Sequence, residues 1–319
     1  MKIVPLSIPT PFYVGDVNVY LIKSDPLTLI DVGPKTDEAR EALRDGLYRN
    51  GVDFKDVRRI VLTHAHEDHC GLAKEIRDEA KNAEVLVHEW ETGHFVGRLQ
   101  DEHQAALMIR AGVPGFVFDE LRSTYSEMRL LTDTLSPNEI TPLKDHDELE
   151  FSDGFLRVLH TPGHTPGSCS LIRDADRTFV CGDCVLKRIT PNPVLAPDPA
   201  NPSKRFPSLS RYLQSLGRIR DEAPTKVFGG HGDSIDDFGE VFGRYQRAIN
   251  ERQSKVIGLV PRDGITPWEL SRLLFPDAID DKFHRFLAIS ETIAHLDYAV
   301  SEAKLEISED NDVEFYRGR

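Results

Sequence analysis

The sequence predicts an α/β fold made of two β-rich halves, with helices between and after them. Three observations carry this expectation. Short runs of β-branched and aliphatic residues cluster at 17–31, 58–63 and 84–88, and again at 149–181 and 226–229. Helical spacing of apolar residues dominates 89–142 and the chain after about residue 240. Several strands run directly into histidine- or glycine-bearing turns, and the carboxyl ends of strands are where open α/β sheets place ligands.

Taken in order, residues 17–22 and 27–31 read as strands around the turn-forming Ser24-Asp25-Pro26, and Asp31-Val32-Gly33-Pro34 closes the second. Residues 36–50 read as a helix, with Ala39, Leu43 and Leu47 at four-residue spacing and Gly51 just beyond. A strand at 58–63, a helix at 71–80 and a strand at 84–88 follow. Residues 89–142 break the pattern. There 100–110 reads as helical, and Leu121, Tyr125, Met128, Leu131 and Leu135 lie three or four apart as a second helical stripe. This helical insertion serves either packing or a lid over a pocket. Strands return at 149–151, 156–160, 169–172 and 178–181. A proline-rich loop at 191–207 is long enough to suggest a functional segment. A helix at 208–221 and a strand at 226–229 complete the second half.

A boundary is expected near residues 236–250, dividing a domain of residues 1–245 from one of 246–319. The second part reads as helices at 242–259, 266–274 and 281–303, followed by a hairpin around Glu309-Asp310-Asn311-Asp312. Thr266-Pro267-Trp268-Glu269 has the capping-box pattern with proline at the first helical position. Three helices and a hairpin resemble a winged-helix module.

Hydrophobic residues make up 39% of the 319 and charged residues 29%, which fits a soluble globular chain. Met1-Lys2-Ile3-Val4-Pro5 is too broken by proline to open a secretory signal, and no run approaches the roughly 18 apolar residues of a membrane span. Cys70, Cys169, Cys181 and Cys184 are too few and too clustered for a disulfide scaffold, so a reducing cytoplasm is expected. Net charge is −14, and residues 251–319 hold 9 Lys+Arg against 14 Asp+Glu. A nucleic-acid partner would favour a basic footprint. The tail therefore reads as a packing, oligomerisation or pocket-closing element.

The densest chemistry lies in Thr63-His64-Ala65-His66-Glu67-Asp68-His69-Cys70-Gly71, between the strand at 58–63 and the following helix. Histidine is the commonest metal-ligating side chain and binds as the neutral imidazole. Three of them and two carboxylates within positions 64–69 exceed what packing asks for. Three later strands each end in a glycine-bearing turn that presents one such residue: Gly163-His164, Gly182-Asp183 and Gly230-His231-Gly232. Glycine lets a backbone turn tightly and approach an ion. Each turn alone is a weak signal; together, behind the first motif, they point to one metal site. Cys181-Gly182-Asp183-Cys184 has Cys-x-x-Cys spacing, but the segment already carries Asp183 and there is no second paired-cysteine motif, so a structural role is expected. Lys187 and Arg188 are either solvated charges or contacts for an anionic substrate, and His94 and His103 of the insertion could reach a pocket but are not assigned to the site.

The ordered set Thr-His-x-His-x-Asp-His, Gly-His, Gly-Asp and Gly-His-Gly, with Asp31-Val32-Gly33 before it, resembles the metallo-β-lactamase superfamily across residues 15–235. The resemblance implies a four-layer αβ/βα sandwich with metals at one edge of two facing sheets. It implies that His64, His66 and His164 bind one ion, that Asp68, His69 and His231 bind a second, that Asp183 bridges both, and that Asp31 orients a ligand through hydrogen bonds. Two divalent ions are expected; zinc suits imidazole and carboxylate ligands, and iron or manganese are open. Two such ions would lower the pKa of a bridging water and supply hydroxide, with Asp68 and Asp183 as the catalytic carboxylates.

The Gly-His-Gly ending and the winged-helix-like tail are similar to the glyoxalase-II-related, beta-lactamase-like-protein-2 branch, which mixes thioesterase-like members with a ribonuclease. His231 is followed by Gly232-Asp233-Ser234 rather than the Glu-Tyr-Thr of glyoxalase II, which argues against glutathione-thioester specificity. The expectation is a metal-dependent hydrolase of a small acyl compound, foremost a thioester. Endoribonuclease action on RNA and lactone or β-lactam hydrolysis are the alternatives, and a non-enzymatic metal-binding scaffold is the remaining reading. No membrane association is expected, and an oligomer could form through the C-terminal domain.

Overall fold

A computed structural model describes residues 1–81, 83–96, 99–279 and 281–319. The first β-rich half forms one sheet, ordered β1 (Lys2–Ile8), β2 (Val17–Lys23), β3 (Thr28–Ile30), β4 (Arg59–Leu62), β5 (Glu84–His88) and β6 (Ile140–Leu143). β1 to β3 pair antiparallel and β3 to β6 parallel. The second half supplies β7 (Glu148–Phe151), β8 (Gly154–His160), β9 (Cys169–Arg173) and β10 (Thr178–Val180), an antiparallel series. β11 (Pro197–Asp198) and β12 (Asn201–Arg205) form a separate ribbon, and β13 (Lys226–Phe228) returns parallel to β10.

Strand alternation explains the layering. Side chains point to opposite faces at successive positions. In β2, Tyr20 and Ile22 join Val61 of β4 and Val158, Leu171 and Val180 of the second sheet in the core between the sheets. Val19 and Leu21, with Ile60 and Leu62, face the opposite way and meet α1 (Asp37–Arg49) and α3 (Ala73–Ala80). α1 is capped by the Thr36 side chain, which accepts from Ala39 N, and its Leu43 and Leu47 are fully buried. Each such leucine contributes about 1.5–3 kcal/mol relative to exposure. On the other side, Ile172, Phe179 and Val227 meet α7 (Ser208–Asp221) and α8 (Phe238–Leu259). The result is helix, sheet, sheet, helix.

The insertion carries α4 (Thr92–Val96), α5 (Leu99–Arg110) and α6 (Gly115–Met128); its residues 97 and 98 lie outside the described residues. The single stripe expected through Leu135 is divided. α6 ends at Met128, a short 3-10 turn spans Arg129–Leu131, and Thr132 is extended. The Leu131 carbonyl accepts from Lys35 N instead of continuing a helix. Leu121 packs in a core with Phe286 and Ile289, whereas Leu135 joins the outer face of the first sheet. Equal spacing thus serves two cores. The segment's last residues, 140–142, are also sheet rather than insertion, since β6 pairs with β5.

The C-terminal elements are α8, α9 (Pro267–Leu274), α10 (Lys282–Ser301) and the hairpin β14 (Leu305–Asp310) and β15 (Val313–Gly318). The Thr266–Glu269 capping box is formed. The expected boundary falls inside α8: Val241, Tyr245 and Ile249 belong to the core behind the second sheet, and Val256 to the tail's own core. A buried charge network fastens the tail further. Arg205 of β12 donates to both Asp297 oxygens at 2.8 and 2.9 Å and pairs with Glu314, which also lies 2.6 Å from Arg110 of α5.

Candidate metal centre

Four loops meet at the carboxyl ends of β4, β8, β10 and β13. The first runs from β4 through His64 and His66 into α2 (Glu67–Cys70), a single turn that carries Asp68 and His69. Val32 N donates to the His69 carbonyl and Leu72 N to that of Gly33, so the Asp31 turn grips the carboxyl end of α2. The other loops bring His164, Asp183 and His231. Gly230 has no room for a side chain: a Cβ there would overlap Asp183 Oδ1 and lie 2.7 Å from His69 Cε1.

All seven residues singled out in the sequence converge. His64, His66 and His164 form one group able to hold an ion, and Asp68, His69 and His231 another; in each, the ligand atoms lie within 4.8 Å of one another. A third group, His64, His69 and Asp183, overlaps both. His64 Nε2 and His164 Nε2 each lie 3.0 Å from His66 Nδ1. Asp183 sits between the sets, with Oδ1 3.4 Å from His69 Nε2 and Oδ2 3.6 and 3.5 Å from His164 and His231 Nε2.

The hydrogen-bond network fixes which nitrogens face inward. His69 Nδ1 donates to Asp31 Oδ2 (2.8 Å), His164 Nδ1 to the Asn192 carbonyl (2.8 Å) and His231 Nδ1 to the Asp16 carbonyl (2.9 Å). Thr63 Oγ1 donates to Asp31 and so accepts from His64 Nδ1. In each case Nε2 is left as a lone pair aimed at the centre, the arrangement that prepares imidazole for a metal. His69 Nε2, His231 Nε2 and Asp183 Oδ1 are buried without a hydrogen-bond partner. Orphaned buried polar atoms are costly. An ion satisfies them all at once: with metal–nitrogen bonds of about 2.0–2.1 Å, tetrahedral ligand atoms sit roughly 3.3 Å apart, close to the spacings here. The residues fit divalent ions.

Electrostatics point the same way. Burial, then the neighbouring imidazoles, holds His64 well below its ordinary pKa, and His66 is pushed down to about 3. Burial likewise opposes protonation of His69 and His231, but Asp183 and the other nearby carboxylates outweigh it and raise both, His231 to about 10. One set is thus electron-rich and neutral, and the other is an ion-pair cluster awaiting a cation in place of protons.

A profile of the metallo-β-lactamase superfamily matches residues 12–231, which include every one of these seven positions. The chain belongs to the metallo-β-lactamase superfamily. The probable metallo-hydrolase YqjP of Bacillus subtilis (strain 168) is 32% identical over 94% of this chain and 92% of its own length. A beta-lactamase-like protein 2 homolog of Drosophila melanogaster is 26% identical over 97% and 90%. Among solved structures, a metallo-β-lactamase family protein from Thermus thermophilus superposes with a TM-score of 0.85 over 99% of this chain and 98% of that one, at 28% identity. Membership of the superfamily, with the metal-site geometry, makes the protein an enzyme of the hydrolase class.

In this superfamily member the site floors a cavity of about 1650 Å³. His66, Asp68, His164 and Asp183 line its inner end. Tyr125 and Met128 of α6, Leu195 of the proline-rich loop and Phe283, Phe286 and Leu287 of α10 supply apolar wall. At the rim, Phe12 and Tyr13 stack on Phe283 and His284, with centroids 6.0 and 4.8 Å apart.

His94 and His103 do line the cavity. His94 Nε2 lies 3.7 Å from Oε1 of Glu67, whose carboxyl is pushed up to about 7 by burial. Lys187 and Arg188 do not line it; both turn to Asp233, 3.8 and 3.3 Å away. The four cysteines are free and buried, and burial pushes the Cys181 thiol up to about 12, which suits packing rather than redox chemistry. Among the described residues no helix is long and apolar enough to cross a membrane. Sequence reasoning missed Glu91, a buried carboxylate beside the centre. Its only signal was position, three residues past the carboxyl end of β5.

Proposed function

We propose that the protein hydrolyses a thioester, or a related acyl compound, whose larger part is apolar. In this reading His64, His66 and His164 hold one divalent ion, Asp68, His69 and His231 the other, and Asp183 both. The ions are zinc by ligand type, a set that iron and manganese share. Such a pair, when bound, supplies Lewis acidity to the carbonyl and acidified water to attack it.

The chain's own residues do the rest. Asp68, with Oδ2 3.3 Å from His231 Nε2, is placed to orient water and carry its proton. Asp183 offsets positive charge between the two sets. The net reaction adds hydroxyl to the acyl carbon and a proton to the departing sulfur. The large cavity opening on the convergent ligands carries this reading: at about 1650 Å³ it exceeds the roughly 300–1,000 Å³ usual for drug-sized ligands, which leaves room for a bulky apolar part beside the reacting carbonyl.

The same cavity disfavours RNA. Apart from the ligands Asp68 and Asp183, its walls carry six Asp and Glu against four Lys and Arg, where a phosphodiester backbone calls for the reverse. The tail, winged-helix-like in its order of elements, acts here as pocket wall through α10. The likeness to beta-lactamase-like protein 2 homologs supports placing the protein in that branch.

The test is a hydrolase panel on metal-reconstituted protein: acyl-CoA and glutathione thioesters, lactones and short single-stranded RNA. Thioester turnover should vanish on chelation, return with a divalent metal, and fall about 10²–10⁴-fold in Asp68→Ala, the range for a lost proton-transfer group. RNA cleavage without thioester cleavage would reverse the substrate assignment. Unchanged turnover in Asp68→Ala would sink the role given to Asp68.

A further inference from the structure

Glu91 is 6% exposed and follows β5 at the root of the insertion. Its Oε1 accepts from Gly167 N and Thr165 Oγ1, both at 2.7 Å, and its Oε2 accepts from Ala65 N at 3.1 Å. Ala65 separates His64 from His66, and Thr165 directly follows His164. One carboxylate therefore ties together the two chain segments that carry His64, His66 and His164. The tie is tight: a Cβ on Gly167 would stand 2.6 Å from Glu91 Cγ. The other set is anchored differently, through Asp31 on His69 and the Asp16 carbonyl on His231. The three bonds of the Glu91 carboxylate go to backbone and hydroxyl donors, not to those anchors or to a ligand nitrogen.

We propose that Glu91 is a positioning residue that sets metal affinity at His64, His66 and His164 selectively, through the path of the backbone rather than through the ion. This rests on reading that trio as ligands. A carboxylate is needed because all three partners donate. Glutamine offers one oxygen: if it keeps Gly167 N and Thr165 Oγ1, its amide faces Ala65 N, donor against donor. The segment between His64 and His66 is then released.

The test is zinc binding, followed by competition with a chromophoric chelator and by metal content, with cobalt(II) absorption reporting which ligand set is filled. Wild type should hold two ions. Glu91→Gln should weaken one of them by roughly 10–100-fold, the usual effect of removing a partner behind the ligands, and leave the other unchanged. Loss of the cobalt bands of the three-histidine site identifies which. Thr165→Val, which removes one donor and leaves the carboxylate, should lose less and in the same site. It also carries the test if Glu91→Gln fails to melt cooperatively. Two ions at wild-type affinity in the folded variants, or equal weakening of both, overturns the proposal. A wild type that does not bind a pair overturns the ligand reading, and the proposal with it.

Discussion

Replacing Asp31 by asparagine changes the electronics of the centre while leaving its shape alone. Asp31 is 1% exposed and sits at φ +58°, a region asparagine tolerates as well as aspartate, so the backbone should not protest. Its Oδ1 accepts from Thr63 N and its Oδ2 from Thr63 Oγ1 and His69 Nδ1, all at 2.8 Å. The asparagine oxygen must take the Thr63 N site, because an amide NH₂ there would face another donor. The NH₂ then faces Thr63 Oγ1, which can accept, and His69 Nδ1, which must give up its proton. The neutral imidazole is left protonated on Nε2, the atom aimed at Asp183 and Asp68.

The wrong nitrogen now points at the ion. Losing one charge-assisted hydrogen bond is worth about 1.5–3 kcal/mol, so affinity at the His69 set should fall by about 10–100-fold, with a smaller effect on the set of His64, which feels Asp31 only through Thr63 Oγ1, and only a small change in Tm. Metal competition titration gives the affinities, and ¹⁵N chemical shifts of the His69 ring give the tautomer. Wild-type affinity for both ions, with Nδ1 still protonated in Asp31→Asn, would refute the reasoning.

Gly230→Ala removes no ligand, yet its methyl would collide with Asp183 Oδ1 and crowd His69; bound metal and turnover should drop together, with an overpacking cost of about 1–3 kcal/mol by urea denaturation. Phe286 is 5% exposed with its ring 5.0 Å from Tyr125, so Phe286→Ala should cost about 3–5 kcal/mol and raise KM for apolar thioesters more than it lowers kcat. An unchanged KM would separate this wall from the substrate. Burial, with Arg252 adding, pushes His295 down to about 3 from 6.5, and its Nδ1 donates to Gln253 Oε1 at 2.6 Å. The unfolded chain takes up this proton first, so stability held above pH 6.5 is lost progressively as pH falls toward 3. His295→Asn should make the fall of Tm over that interval shallower, and His88, also lowered to about 3, should keep part of the slope.

The metal-facing residues were legible because their chemistry is local in sequence. His64 to His69 occupy six positions, and the three remaining donors each follow a strand and a glycine. The period-two strands and α1 were legible for the same reason: one face, one partner layer. What was hidden depends on distant partners. Leu131 and Leu135 continue the spacing of α6, but Lys35 and the first sheet claim them. β12 reads as Asn-Pro-Ser-Lys-Arg, a polar loop, and becomes a strand because Pro197 and Asp198 pair with it. Arg205 looks like a surface charge until Asp297 and Glu314 arrive from the tail, 92 and 109 residues later. Glu91 shares its segment with Glu89 and Trp90; only the folded chain shows three donors waiting for it.

α6 and α10 are separated by more than 150 residues, yet they pack against each other in the cavity wall, with Arg285 bound to Glu120 at 2.7 Å and Phe286 against Tyr125. A lineage changing its diet cannot therefore tinker with either segment alone. A bulkier residue on α6 needs a concession from α10, and a graft of one without the other leaves a gap or a clash. If this wall meets the substrate as proposed, the heritable unit of its preference is a discontinuous pair, written at two distant places and read as one surface, while the metal-facing residues are free to stay as they are.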